Sequence, residues 1–300
     1  MKKVLVLGGN GFIGRNLLNT LVKREYQVYS FDLNKPDYPV EGVTYLAGDF
    51  FDDYVLKSAI EGMDIIYHAI CTMNPGNSNA KYVMGYERDL IQTLELCDML
   101  KDTKTRMIFL SSGGTVYGKQ EVLPVTEETL PVPINHYGNL KLCIENAMRV
   151  FRYQNHSDFI IARIANPYGP GQDYRKGVGF IDAAMKRAIS GETIEVWGTG
   201  NVVRDYIYIT DVCNALVTLA EENVSYDVVN ISSGRGVSQR EILEAIKKHC
   251  PNMKVEYQPA RSVDADKIYL ANDRLKTILP DEMVSLEEGI EKYYQYLMAQ

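Results

Sequence analysis

The chain is 300 residues long, 46% hydrophobic and 24% charged, and its 39 acidic against 32 basic side chains give a net charge of −7. That length exceeds the usual single-domain size, and the acidic balance excludes a general nucleic-acid footprint. The five cysteines, Cys71, Cys97, Cys143, Cys213 and Cys250, are odd in number and scattered, which argues against a disulfide framework or a zinc site.

The first element is Lys3–Leu7, a short β-branched-rich apolar run that meets Gly8-Gly9-Asn10-Gly11-Phe12-Ile13-Gly14. This is how a buried parallel strand reads when it turns sharply into a helix. Gly8, Gly11 and Gly14 are spaced G-x-x-G-x-x-G. The first serves the tight turn, the second lets the backbone approach a pyrophosphate, and the third lets the helix pack on the strand. The helix start offers free N–H groups and a positive dipole end to an anion. A second strand, Val28–Phe31, ends in Asp32. An acid there can hold both ribose hydroxyls of a dinucleotide and repel a 2′-phosphate.

Alternation continues along the chain. Val43–Ala47 reads as a third strand, followed by Gly48-Asp49-Phe50 and a short helix near 52–61; Asp64–His68 reads as a fourth. Asn74-Pro75-Gly76-Asn77-Ser78-Asn79 is a loop. A long helix is predicted over about 80–101, then a fifth strand, Arg106–Leu110, ending in Ser111-Ser112-Gly113-Gly114. A Pro-rich loop over about 119–136 leads into a helix near Tyr137, and Phe159–Arg163 is a sixth strand. This order predicts an α/β, doubly wound parallel sheet of Rossmann type. From about residue 167 the elements shorten, with helices near 178–190, 210–221, 238–249 and 285–298. Residues 1–166 are expected to form the dinucleotide-binding domain, with about 204–222 returning to it, and 167–300 mainly a substrate-binding lobe. The chain opens on a core strand, leaving no room for a signal peptide, and no apolar run approaches the roughly 18–20 residues of a membrane span. The expectation is a cytoplasmic protein with neither membrane nor nucleic-acid partner.

Ligands of open α/β sheets lie outside the carboxyl ends of the strands. The fifth strand brings Ser111, Ser112 and Thr115 there, and Tyr137-Gly138-Asn139-Leu140-Lys141 follows. Tyr and Lys four apart share a helical face. A nearby ammonium favours the phenolate, so Tyr137 can exchange a proton with a sugar hydroxyl while hydride moves to a nicotinamide. A Y-x-x-x-K pair is common on helices, and its weight here comes from the dinucleotide fingerprint before it. His136 reads as a polar loop residue, Trp197 as packing on the small lobe, and Tyr293-Tyr294-Gln295-Tyr296 as a core cover. No metal-ligand spacing is present.

With these motifs in place, the chain resembles the extended short-chain dehydrogenase/reductases, in the nucleotide-sugar epimerase/dehydratase branch that includes the UDP-glucose 4-epimerases. The resemblance also rests on Val116-Tyr117-Gly118, Asn166-Pro167-Tyr168-Gly169, Val203-Arg204-Asp205-Tyr206 and Arg261-x-x-Asp264. It implies NAD as cofactor, held by the glycine loop with Phe12 and Ile13, by Asp32 at the ribose, and by Asp49 and Phe50 flanking the adenine. His68, Ala69 and Ile70 would line the nicotinamide side, beside Ser111. Tyr137 would be the base and Lys141 would bind the nicotinamide ribose. Asn166 and Val178-Gly179-Phe180 would touch a nucleotide sugar, Arg204 and Arg261 its diphosphate, and Asp264 its ribose. Solvated surface charges or structural ion pairs remain the alternative for the arginines.

Two departures from the family pattern stand out. The usual catalytic Ser/Thr position falls on Gly113, which leaves Ser112, favoured, or Thr115 to supply the hydroxyl. Asp89 stands where the family commonly has Asn. The expected activity is C4 epimerisation of a UDP-hexose through a 4-keto intermediate. A 4-ketoreductase of a deoxysugar nucleotide is the rival. A 4,6-dehydratase is disfavoured, because Gly114 and Thr115 replace that branch's Asp-Glu pair. A catalytically idle NAD- or sugar-nucleotide-binding protein is the alternative of a different kind. Apolar positions beyond one stripe, Tyr82, Tyr86, Leu90 and Leu94 on one helix and Leu140, Ile144, Ala147 and Phe151 on another, predict a homodimer.

Overall fold

Apolar residues on both faces of β1 (Lys2–Leu7) explain its central place: Val4 and Val6 join one core cluster, Leu5 and Leu7 the other. Burying each leucine contributes roughly 1.5–3 kcal/mol. The computed structural model describes residues 1–222, 224–259, 267–279 and 282–300. Around β1 the sheet adds β2 (Tyr26–Asp32), β3 (Val43–Ala47), β4 (Ile65–His68), β5 (Arg106–Ser112), β6 (Phe159–Ile164) and β10 (Val228–Ile231). Their order is β10-β6-β5-β4-β1-β2-β3, every pairing parallel. The predicted doubly wound sheet is present. Its direction reverses between β1 and β4, which opens a crevice at their carboxyl ends.

Helices cover both faces. α1 (Phe12–Leu21) and α8 (Ile209–Glu221) pack on one; α2 (Asp53–Ile60), α4 (Ile91–Leu100) and α6 (His136–Asn155) pack on the other. The predicted helix over 80–101 is three pieces: α3 (Ser78–Met84), a π-turn (Gly85–Leu90) and α4. A π-turn adds a residue to the turn and rotates Asp89 inward, where it is 3% exposed. Leu140 and Ile144, predicted as spare apolar positions for a partner, are core residues at 0% and 2% exposure. Tyr82, one of the expected positions, is exposed, and the other exposed apolar side chains of these helices are Val83, Ile91, Val150 and Tyr153.

Val228–Ile231 was not predicted as a strand. Four residues are too few for a periodic signal, and only pairing with β6 defines them. The smaller lobe holds β7 (Asn166–Tyr168), β9 (Val203–Tyr208) and β11 (Gly236–Ser238) in one sheet, and β8 (Thr193–Trp197) with β12 (Lys254–Gln258) in another. α5 (Gly113–Val116) follows β5; α7 (Phe180–Ser190), α9 (Gln239–Lys247), α10 (Asp273–Ile278) and α11 (Leu286–Met298) follow in the second half. α9 begins with a full capping box between Ser238 and Glu241. Tyr293 closes the lobe's core at 0% exposure; Trp197 is 39% exposed. No described helix is long and apolar enough to cross a membrane.

Candidate active site

The crevice at the sheet's carboxyl edge is a cleft of about 500 Å³ between the glycine loop and the smaller lobe. Gly8, Gly11, Phe12, Ile13 and Gly14 form one wall. Gly8 has φ +88°, a left-handed value that favours glycine. A Cβ on Gly14 would lie 2.2 Å from the Gly8 carbonyl oxygen, so no side chain fits this cradle. Gly11 caps α1 without a side-chain acceptor, which leaves the first N–H groups of the helix facing an anion. At the end of β2, the Asp32 carboxylate accepts from the backbone N–H of Asn10 at 3.0 Å and of Leu33 at 2.8 Å. These residues fit a dinucleotide whose pyrophosphate rests on α1 and whose ribose meets Asp32.

The opposite wall is built by stitching α6 to β5. Tyr137, Lys141 and Glu145 share one helical face, turned toward the strand's end at Leu110 to Ser112. Tyr137 and Ser112 both line the cleft. Lys141 Nζ donates to the Leu110 carbonyl at 2.9 Å. Ser111 Oγ donates to Glu145 at 2.5 Å, and Glu145 in turn pairs with Arg163 on β6 at 2.6 Å, both side chains fully buried. The Ser111 hydroxyl is therefore committed to this network, although the residue borders the cleft.

Burial pushes the Tyr137 phenol well above its usual range; the charges of Cys71 and Asp89 add to this, and the hydrogen bond with Ser112 opposes it. The Lys141 ammonium lies 5.7 Å from the Tyr137 ring centroid.

The two hydroxyls that could replace the one missing at Gly113 are not equivalent. A Cβ at Gly113 would lie 2.4 Å from Leu270 and 3.0 Å from the Arg163 carbonyl oxygen, so a side chain there requires a shift of Leu270. Ser112 lines the cleft with Tyr137 and acts on its phenol, while Thr115 turns its hydroxyl toward the Ser112 carbonyl at 3.5 Å. Ser112→Ala is expected to lower turnover more than Thr115→Val, as steady-state kinetics of the two variants would register. The reverse order would transfer the role to Thr115.

Other predicted residues fall in three places. Ala69, Asn166, Val178, Gly179, Phe180 and Arg204 line the cleft. Phe50 and His68 are core side chains, 4% and 0% exposed, with rings 5.1 Å apart. Burial lowers the His68 imidazole to about 3, and the Lys141 charge acts in the same direction. Asp49 faces solvent beyond β3 and accepts from the Phe51 N–H. Arg261 and Asp264 lie outside the described residues. The cleft also takes in Cys71, Asn74, Gln172 and Gln239, none of which the motifs singled out, and Tyr206 of the Val203-Arg204-Asp205-Tyr206 run. Asn74 follows a strand's carboxyl end, which is the one signal the sequence carried for it. Among the described residues no carboxylate lines the cleft, and no cluster of His, Cys, Asp or Glu could hold a metal.

These features define a dinucleotide-binding fold. The model of the NAD dependent epimerase/dehydratase family matches residues 4–232, and the chain belongs to that family. It is 29% identical to the dTDP-4-dehydro-6-deoxyglucose reductase of Escherichia coli, over 96% of this chain and 95% of that protein. It is 28% identical to the UDP-glucose 4-epimerase of Lactobacillus helveticus, over 92% and 91%. Its fold is similar to the crystal structure of the Thermotoga maritima UDP-glucose 4-epimerase with UDP-glucose, at a TM-score of 0.93, 27% identity and 99% of both chains. The cofactor is NAD.

The Asp32 carboxylate is expected to set the choice between NAD and NADP. Asp32→Ser is expected to narrow the preference for NAD, measured as the ratio of the two dissociation constants, because it removes the charge that repels a 2′-phosphate. Tighter binding of NADP than NAD by the unaltered protein would contradict this assignment.

Proposed function

We propose that the protein is an NAD-dependent nucleotide-sugar epimerase that inverts C4 of a UDP-hexose. The observation that carries the reading is the placement of Tyr137, Lys141 and Ser112 in one cleft that runs from the glycine cradle to Arg204. NAD, which the glycine cradle and Asp32 would hold, would supply a reversible acceptor for the C4 hydride. The residues of the chain do the rest. Tyr137 takes the proton from the C4 hydroxyl and gives it back. Ser112 holds that hydroxyl and the phenol in line. Lys141, anchored on Leu110, keeps a positive charge behind the ring. Arg204 binds the diphosphate, for which a guanidinium fork is suited, and Arg261 is assigned the same role. Asn166, Val178, Gly179 and Phe180 enclose the sugar, and Asp264 binds the nucleotide ribose.

The cleft's lack of a described carboxylate disfavours a 4,6-dehydratase, whose elimination needs an acid and a base beside the sugar. A second reading, reduction of a 4-keto-deoxysugar nucleotide, draws on the Escherichia coli relative. Incubation with UDP-glucose, UDP-N-acetylglucosamine and keto-deoxysugar nucleotides, with products resolved by NMR, separates the two. Interconversion of C4 epimers without net cofactor consumption supports the first reading. One reduced cofactor consumed per product, with no epimer formed, supports the second.

The working unit is a cytoplasmic homodimer in this reading. The apolar side chains exposed along α3, α4 and α6, with Tyr153 at 85% and Val83 at 52% exposure, need a burial partner, and a self-complementary patch closes into a two-fold pair. Light scattering during size exclusion is expected to return twice the monomer mass. A fully active monomer would contradict the dimer.

A further inference from the structure

The segment that leaves β4 forms one wall of the cleft through Ala69, Cys71, Asn74 and Pro75, and it is held at three points by the π-turn and by Thr93 at the start of α4. His68 Nε2 meets Thr93 Oγ1 at 2.9 Å, and that hydroxyl bonds the Asp89 carbonyl at 2.6 Å. Met73 packs on Gly85 so closely that a Cβ there would lie 2.3 Å from its Cε. Between these two anchors, Asp89 Oδ2 accepts from the Thr72 N–H at 2.9 Å, the Thr72 hydroxyl at 2.8 Å and the Cys71 thiol at 3.4 Å. Its other oxygen, Oδ1, is buried with no partner.

An unpartnered buried carboxylate oxygen is costly, and its persistence calls for a use. We propose that Asp89 is a positioning residue, which fixes the Cys71–Thr72 wall against Tyr137 and holds a buried negative charge beside that hydroxyl. The proposal rests on Tyr137 being the base. The groups that face the phenol are Cys71 from the segment after β4, Asp89 from the π-turn, Ser112 from β5 and Lys141 from α6 itself. His136 precedes it and is turned away, stacked on Tyr82 with ring centroids 4.4 Å apart. Glu145, one turn beyond Lys141, is neutralised by Arg163. Asp89 is the one carboxylate in this set without a cationic partner of its own. Its charge opposes ionisation of the phenol and of the Cys71 thiol alike.

The experiment compares the NAD-loaded wild type with Asp89→Asn, which keeps an acceptor for Thr72 and removes the charge, and with Thr72→Val, which keeps the charge and removes one grip. Asp89→Asn is expected to move the acid limb of the pH–rate profile for sugar-nucleotide turnover down by about one pH unit. Thr72→Val is expected to lower turnover with the limb in place, which is all that a purely structural Asp89 would do. A limb unmoved by Asp89→Asn overturns the proposal. Should that variant fail to fold, Asp89→Ser is read in the same way. A second readout does not depend on the reaction: alkylation of Cys71 by iodoacetamide in the cofactor-free protein, followed across pH by peptide mass spectrometry. Loss of the charge is expected to lower the midpoint for Cys71 by about one unit, with that for Cys143 unchanged. An unmoved Cys71 midpoint overturns the proposal even if Tyr137→Phe retains activity, an outcome that would instead remove the functional reading.

Discussion

Replacing Tyr137 with Phe lowers turnover by about 10²-fold or more, the scale of lost general acid–base catalysis, while NAD affinity and fold survive. The substitution removes one oxygen. That oxygen belongs to a side chain that lines the cleft with Ser112. Its burial already disfavours the charged phenolate, so a phenyl ring in the same place costs little stability. The glycine cradle and Asp32, which hold the other half of the cofactor, are untouched. Steady-state rates and a fluorescence titration with NAD would read the two effects separately. Near-normal turnover would show that another residue carries the proton.

The largest loss of stability is expected from Arg163→Met. Arg163 and Glu145 are both 0% exposed, with Arg163 Nε 3.1 Å from each carboxylate oxygen and Nη2 2.6 Å from one of them. The Tyr117 ring lies 4.7 Å from the guanidinium carbon. Removing one partner strands the other charge in the core, a cost of about 3–5 kcal/mol. The double variant Arg163→Met with Glu145→Leu is expected to recover most of that, because it buries no charge. Denaturant unfolding would measure both. The pair also bears on activity, since Glu145 pins α6 to Ser111, one residue from the serine that lines the cleft with Tyr137. The double variant should therefore fold well and turn over slowly. Equal destabilisation by the single and double changes would show that packing, not charge, is at stake.

The parts of this site that were legible in the sequence are those in which a local pattern carries the geometry. Gly8 to Gly14 and Asp32 announce themselves because a strand buried on both faces, a tight turn and a helix leave few other spellings. Tyr137 and Lys141 are legible through the four-residue spacing. The pattern did not reach Glu145, the next member of the same face. An acid on a helix reads as solvated until its partner on β6 is known, and Arg163 hides inside the apolar run Phe159–Ile164. The π-turn was invisible because one added residue shifts the apolar period too little to register. Phe50 and His68 sit at strand ends that the motifs locate correctly, but on which side of the sheet each ring falls is decided by packing. Gly113 looked like a missing hydroxyl. The structure supplies the reason, Leu270 and the Arg163 carbonyl, both more than fifty residues or a strand away.

The central claim is that a hydride leaves C4 of the sugar and returns to it within one closed cleft. The most direct test is turnover of UDP-glucose deuterated at C4 by the NAD-loaded enzyme, followed by NMR. The account predicts a mixture of UDP-glucose and UDP-galactose with deuterium retained at C4 in both. Deuterium lost to solvent, or a sugar left unchanged by enzyme that has NAD bound, would contradict it.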